Sequence, residues 1–459
     1  MSAVALTLDL GAFIAGLRWA DLPADGLDVI RAGFADCVGV MLAGANEDAP
    51  RILREMLAPA GGESTLLFTG SRAGALDAAW INGTAAHALD FDDVALRSHP
   101  SAVLVPAILA EAEALGASGR EMMRAYAAGY EVWAELVRRD QDPQHKKGWH
   151  PTGVFGAIGA AAACAALRGL DAAQAAHALG IGASQSAGLI ANFGSMTKPF
   201  HAGRAAHAGV AAARLAQRGF TASPDALEHP LGWLTAVSLN GRIDRDAACE
   251  AGRPWKLTRD RLSIKKYPVC FCAHRALDGM LDLVHDHDLD PASVERVTVS
   301  VSRRAAGMLR NAAPQNALEA KFSMQFAMAS ALISRRAGPE QLSDEFVRRP
   351  DVQALMKRVT VTPDDRENSA GYALSDRVQV ATGAGVYDSG ELVSVRGGPD
   401  RPLGAGELRE KFEGCLRAGR ARVPAGPLFD ALMALDTLPH VAGLPGLGPA
   451  NSPTGAVPA

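Results

Sequence analysis

A chain of 459 residues, 48% hydrophobic and 21% charged, has the make-up of a folded protein large enough for two or three domains. A formal net charge of −4, 5% aromatic content and no long Lys/Arg run argue against nucleic acid as a partner. Six scattered cysteines, with Cys270-x-Cys272 as the one close pair, form neither a zinc framework nor a disulfide scaffold; free thiols in a reducing, cytoplasmic compartment are expected.

The opening MSAVALTLDLGAF has no basic n-region and carries Asp9, unlike a signal peptide. Apolar residues then recur at three- and four-residue spacing in Gly26–Leu42, Asn82–Leu89, Ser101–Leu115, Arg120–Val137, Pro151–Leu167, Ala172–Leu189 and Pro199–Gln217, predicting helices. Gly and Ala are dense within them. Gly disfavours a helix by about 1 kcal/mol relative to Ala, so its use here predicts close helix contacts. No stretch is long and apolar enough for a membrane span. Beyond about residue 262 the pattern changes. Val297–Val301, Arg358–Thr362, Arg377–Val380 and Gly390–Val395 alternate like strands, with helical patterns at His274–His287, Ala317–Ile333 and Ser343–Met356. Helical spacing returns in Glu407–Leu416 and Leu428–Leu435. The expected fold is mainly α: an all-α body over 1–262, a smaller, mostly antiparallel α+β lid over 263–402, a return to the body over 403–441, and a disordered tail over 442–459. A crevice between body and lid is the expected ligand site.

One device recurs. His99-Pro100, His150-Pro151 and Lys198-Pro199 each place a proton-carrying side chain before a proline that opens a small-residue helix. Proline suits the first helical turn, and the residue before it is pushed out of the α region toward the cap. Each side chain is therefore expected at the positive end of a helix, where anions are attracted. His99 is preceded by Asp90, Asp92 and Asp93, a crowded carboxylate group of the kind that shifts pKa values. Around Lys198 lie Thr197, His201 and Arg204, the last two spaced to share a helix face. At the body–lid junction, Lys265, Lys266, Tyr267, Cys270 and His274 are candidate carboxylate contacts. Solvated turns and ordinary capping are the alternatives for each cluster. No DDxxD, GxGxxG, phosphate loop, GxSxG or HExxH motif occurs, so no nucleotide, zinc or serine-hydrolase reading is supported. Acid–base chemistry on a carboxylated small molecule remains.

At these residues the chain resembles the MmgE/PrpD family, which includes 2-methylcitrate dehydratase, cis-aconitate decarboxylase and iminodisuccinate epimerase. The resemblance is carried by His87-Ala-Leu-Asp-Phe-Asp-Asp93, His99-Pro-Ser101, Gly148-Trp-His-Pro-Thr-Gly153, Lys198-Pro-Phe-His-Ala-Gly-Arg204, Lys266-Tyr-Pro268 with His274, and Glu319-Ala-Lys-Phe-Ser323. It implies a helical domain with an α+β lid, a homodimer and no cofactor, with Asp90, His99, His150, Lys198 and Lys265 lining the site. Cys270 and Phe326 stand where the resemblance leads one to expect a His and a Tyr in the decarboxylase, and Val94 where a Thr is common. The expected activity is a dehydratase-type lyase on a di- or tricarboxylate. In it His150 or Asp90 is the base, His99 the proton donor, and Lys198 and Lys265 are charge stabilisers. Substrate binding is expected from Thr197, His201, Arg204, Lys266, Tyr267, Cys270 and His274. An epimerase, a decarboxylase and a non-catalytic carboxylate binder are the alternatives.

Overall fold

The computed structural model describes residues 5–140, 142–366 and 374–447. It divides into two units. One comprises the chain up to Ala88, Asp92–Leu262 and the chain from Ala405; the other comprises Leu89–Phe91 and Ser263–Gly404.

The first unit is helical, with α1 (Leu6–Gly16), α2 (Ala24–Ala43), α3 (Asp48–Leu57), a two-residue hairpin β1 (Ser64–Thr65) and β2 (Arg72–Ala73), α4 (Ala75–Ala88), α5 (Ser101–Leu115), α6 (Gly119–Arg139), α7 (Pro151–Leu167), α8 (Ala172–Ala183) and α9 (Thr197–Gln217). Helices Ala405–Ala418 and Ala425–Met433 return to it. Polar residues set several starts. Ser118 opens α6 and Asp171 opens α8, each accepting an N–H three residues on while that residue's side chain reaches back. Every residue of α7 is buried, consistent with its Ala/Gly composition. The backbones of α4 and α9 touch: a Cβ on Gly203 would lie 2.2 Å from the Trp80 carbonyl oxygen, so only glycine permits this contact.

The second unit holds a four-stranded sheet in the order β4-β3-β5-β6, built from β3 (Val294–Ser302), β4 (Val359–Asp364), β5 (Arg377–Thr382) and β6 (Gly385–Asp388). β3 pairs parallel with β4 and antiparallel with β5, and β5 pairs antiparallel with β6. Val297, Val299 and Val301 bury one face of β3, against which the alternating pattern predicted a core. Helices His274–His287 and Met324–Ser334 pack on each other and on the sheet.

The structure revises several expectations. Gly390–Val395 is not a strand; a single bridge joins Leu392 to Asp376, and Val393 is exposed. The fourth strand is instead β6, formed by a tight hairpin with β5. Helix α8 stops at Ala183 rather than Leu189. Ala317–Ile333 and Ser343–Met356 each break into two helices, at points where Ser323 caps one and Pro350 starts another. The tail expected from residue 442 begins packed, with Leu444 and Leu447 buried; 448–459 lie outside the described residues. Among the described residues no helix is long and apolar enough to cross a membrane.

Candidate active site

In the first unit the three proline junctions take different forms. His150 is the N-cap of α7, with extended backbone and Pro151 as first helical residue, as the pre-proline preference requires. His99 lies one residue further out, because Pro100 itself caps α5. Lys198 departs from expectation: α9 begins at Thr197, so Lys198 is inside the first turn and Pro199 is its third residue. The first four N–H groups of a helix have no partner within it, so a proline there breaks no helical bond.

His87, at the end of α4, meets His99 with ring centroids 4.5 Å apart and lies nearly parallel to His150 at 5.7 Å. His150 Nδ1 faces His201 Nδ1 at 3.0 Å, so one ring donates and the other accepts. Phe193 stands edge-on to His150 at 4.8 Å, and the buried Lys198 ammonium lies 4.8 Å from the centre of the same ring. Ser98 and Thr152 are joined by a 2.8 Å hydrogen bond that ties the His99 loop to the first turn of α7. Against the pair His150–His201 runs Gly188, whose φ of +129° suits glycine and where a Cβ would lie 3.2 Å from the His201 ring.

The electrostatics follow from burial. Desolvation, with Lys198 and neighbouring rings adding to it, pushes His150 well below the usual histidine range. Burial is also the main cause that lowers His87 to about 4, against the pull of Asp92, and His201 to about 4. These three rings are therefore neutral at pH 7, and neutral imidazole is a base. His150 Nε2 and His87 Nε2 are buried and lack a hydrogen-bond partner among the described residues. The adjacent carboxylates diverge. Burial opposes ionisation of Asp92, but the imidazoles of His87 and His99 outweigh it and hold that carboxyl well below its usual range. Burial, with Asp36 and Asp92 adding to it, raises Asp93 far above its own.

In the second unit, Lys265 is fully buried and its Nζ donates to both the carbonyl and Oδ1 of Asp90, each at 2.6 Å. Asp90 has φ +51°, which turns the chain locally. The Tyr267 hydroxyl donates to Asp278 Oδ1 at 2.6 Å and its ring lies 5.2 Å from that of His274. His274 Nε2 in turn donates to the Val269 carbonyl at 3.2 Å. Cys270 is buried beside Cys272, and Lys266 is half-buried.

The structure thus brings His99, His150, Lys198 and His201 together in one unit and Asp90 with Lys265 in the other. Arg204 is not with His201: its guanidinium lies over Trp80 at 5.5 Å and donates to His207 Nδ1 at 2.5 Å. Thr197 is half-buried at the start of α9. Three contributors carried no assigned role in the sequence reading. His87 and Asp92 stood inside a quoted motif, where a five-residue spacing from a helix end into a turn is the available signal. Phe193 offers no signal at all. His87, Asp92 and His99 bring donor atoms within 4.8 Å of one another, close enough for a metal. Both Asp92 oxygens, however, already face imidazole Nδ1 atoms at 2.9–3.0 Å, which is a hydrogen-bonded arrangement.

The MmgE/PrpD N-terminal domain matches residues 8–246 and the MmgE/PrpD C-terminal domain residues 267–423. The chain is 27% identical to cis-aconitate decarboxylase of Mus musculus over 347 residues, covering 73% of this chain and 70% of that protein. It is equally similar to the Homo sapiens protein of that name, 27% over 348 residues, covering 73% and 71%. Cis-aconitate decarboxylase of Aspergillus terreus is 24% identical over 439 residues, covering 88% and 86%. With its two domain matches falling in order along most of the sequence, the chain belongs to the MmgE/PrpD family.

Proposed function

We propose that this protein is a lyase that removes the α-proton of a small di- or tricarboxylate and expels a β-hydroxyl as water. The observation that supports this reading best is the buried set of neutral imidazoles, His87, His150 and His201, beside the buried ammonium of Lys198. An α-proton next to a carboxylate is weakly acidic. Its removal requires a positioned base and cations where negative charge develops on the carboxylate oxygens. His150, neutral and with an unpartnered Nε2, suits the base. Asp90, held by Lys265, is the alternative base. His99 gives a proton to the departing hydroxyl, and Lys198 and Lys265 stabilise the aci-carboxylate. The reading includes a homodimer and a cytoplasmic setting, both from the family resemblance and the composition.

A second reading, decarboxylation, is favoured by the relatives' names. It uses the same cations but ends in protonation of the carbanion left by CO₂. Incubating the purified protein with a panel of di- and tricarboxylates in D₂O, followed by NMR, separates the outcomes. Loss of water supports the proposal, loss of CO₂ supports the second reading, and deuterium exchange alone indicates an epimerase. No change in any substrate, with binding retained, would leave only a carboxylate-binding protein.

A further inference from the structure

We infer that Asp92 is a positioning residue that fixes a hydrogen on Nδ1 of two histidines at once, His87 and His99, so that each takes up or gives a proton only at Nε2. This rests on the proposed role of His99 in proton transfer; the assignment of proton positions does not depend on turnover.

The geometry leaves little freedom. His87 Nδ1 lies 2.9 Å from Asp92 Oδ1 and 3.0 Å from Oδ2. His99 Nδ1 lies 3.0 Å from Asp92 Oδ2 and 2.8 Å from the main-chain carbonyl of Asp93. A carbonyl oxygen only accepts, so His99 Nδ1 must carry hydrogen. An ionised carboxylate also only accepts, so His87 Nδ1 must carry one too. A histidine's tautomer is set by the partner of its other nitrogen. Asp92 and His87 are each 1% exposed or less, so bulk water has little access to the bond between them.

The carbonyl that anchors His99 is itself pinned. The Asp93 carboxyl binds the Ser101 N–H at 3.3 Å and the Ser101 hydroxyl, and that hydroxyl meets Tyr126 Oη at 2.7 Å. Ser101 is the first residue of α5, so the loop carrying both aspartates is tied to a helix end. The charged and titratable groups around Asp92 include His87 from α4, His99, Asp90 and Asp93 from its own loop, Cys37 and Asp36 from α2, and, acting on His87, Lys198 from α9. His87 then stands between two rings, 4.5 Å from His99 and 5.7 Å from His150.

A specific consequence follows for Asp92→Asn. The amide oxygen accepts one N–H, while the amide nitrogen donates. His99 keeps its Nδ1–H because the Asp93 carbonyl still demands it. Among the described residues His87 has no second acceptor, so it turns over to the Nε2–H form. The test is ¹⁵N NMR of whole protein carrying ¹⁵N-labelled histidine, with His87→Gln and His99→Gln used to assign two of the 12 histidines. The expected result is Nδ1–H for both rings in the native protein, with His87 alone switching in Asp92→Asn. Finding Nδ1 without hydrogen on either ring of the native protein overturns the inference, and needs no variant to fold. In turnover, Asp92→Asn should lower kcat roughly 10²- to 10⁴-fold, as when a histidine-orienting carboxylate is neutralised elsewhere, with KM changed less than about threefold. Asp92→Glu, which keeps both acceptors, should recover part of kcat. A kcat within threefold of native in Asp92→Asn would refute the positioning role, even with the tautomers as inferred. Unchanged tautomers with no turnover of any substrate by the native protein would instead count against the lyase reading alone.

Discussion

Acid should loosen the helical unit before it reaches ordinary carboxylate pKa values, and His87 is a measurable part of the reason. His87 titrates at about 4 in the folded protein against a reference of 6.5, because burial penalises its charged form. Between those values the unfolded chain binds the extra proton and the folded chain does not. Stability therefore rises with pH across the window from about 4 to 6.5 and falls as pH is lowered through it. At pH 5 the difference is 1.5 pH units below the reference value, and at 1.36 kcal/mol per unit it corresponds to about 2 kcal/mol from this ring alone. The ring is 1% exposed, so solvent screening takes little away. His150 and His201 act in the same direction. Asp93, whose pKa is raised by burial, acts in the opposite one: it stabilises the fold at low pH and loses that contribution as pH rises through its folded value. The Asp93 effect is common to native protein and His87→Gln, so it cancels in their comparison. All six tryptophans lie at or before Trp255, within the first unit, so tryptophan fluorescence in urea reports that unit. The native midpoint should fall between pH 7 and pH 5 by about 2 kcal/mol more than that of His87→Gln. Parallel pH dependences for the two proteins would show that the buried ring is charged or solvated, and the electrostatic account of the site would fail.

Lys198→Met should reduce kcat/KM by about two orders of magnitude or more on the substrate found in the D₂O panel, the effect of losing one electrostatic stabiliser; a value within threefold of native would remove Lys198 from the mechanism. Lys265→Met leaves the Asp90 carboxylate buried without its ammonium, and breaking such a pair costs about 3–5 kcal/mol. The loss should appear as faster amide exchange in strand Val294–Ser302, and Asp90→Asn combined with Lys265→Met should restore most of the protection. Prolonged treatment with EDTA should leave turnover unchanged; loss that Zn²⁺ or Fe²⁺ restores would mean that His87, Asp92 and His99 hold a metal.

Much of the helical architecture was legible because its boundaries carry chemistry. Helices Ser101–Leu115, Pro151–Leu167 and His274–His287 have the limits their sequences predict, since a proline or a break in apolar spacing marks each end. The strand at 390–395 failed for a different reason. Its alternation of Leu392 and Val393 with polar neighbours satisfies the period of a strand, but among the described residues it pairs through one bridge alone. Strand β6 has weak alternation and exists because Gly383 and Ala384 allow a tight turn that folds Gly385 back onto Thr382. Pairing partners, not local pattern, decide such short strands. Lys198 shows the same limit on the helical side. The pre-proline bias predicts a cap, yet α9, packed against α4 and α7, starts two residues earlier, at Thr197.

The carboxylates at 90, 92 and 93 show why the site was only half legible. Three acidic residues within four positions predict mutual repulsion and raised pKa values. The folded chain distributes them instead. A left-handed turn at Asp90 directs that side chain to Lys265. Asp92 receives two imidazole N–H groups and stays ionised. Asp93 is buried against Ser101 and becomes the one whose charge is suppressed. Residue type and spacing identify all three as chemical, but the partner of each is set by elements up to 175 residues away in the chain. The histidines were easier to place because proline fixed the backbone at His150 and next to His99. The carboxylate that orients His99 was hidden, because its signal is a distance between side chains that only the fold creates. A neutral base, a carboxylate that stays charged and a neighbouring carboxyl whose ionisation burial opposes are held a few residues apart, and separating them is what this turn does.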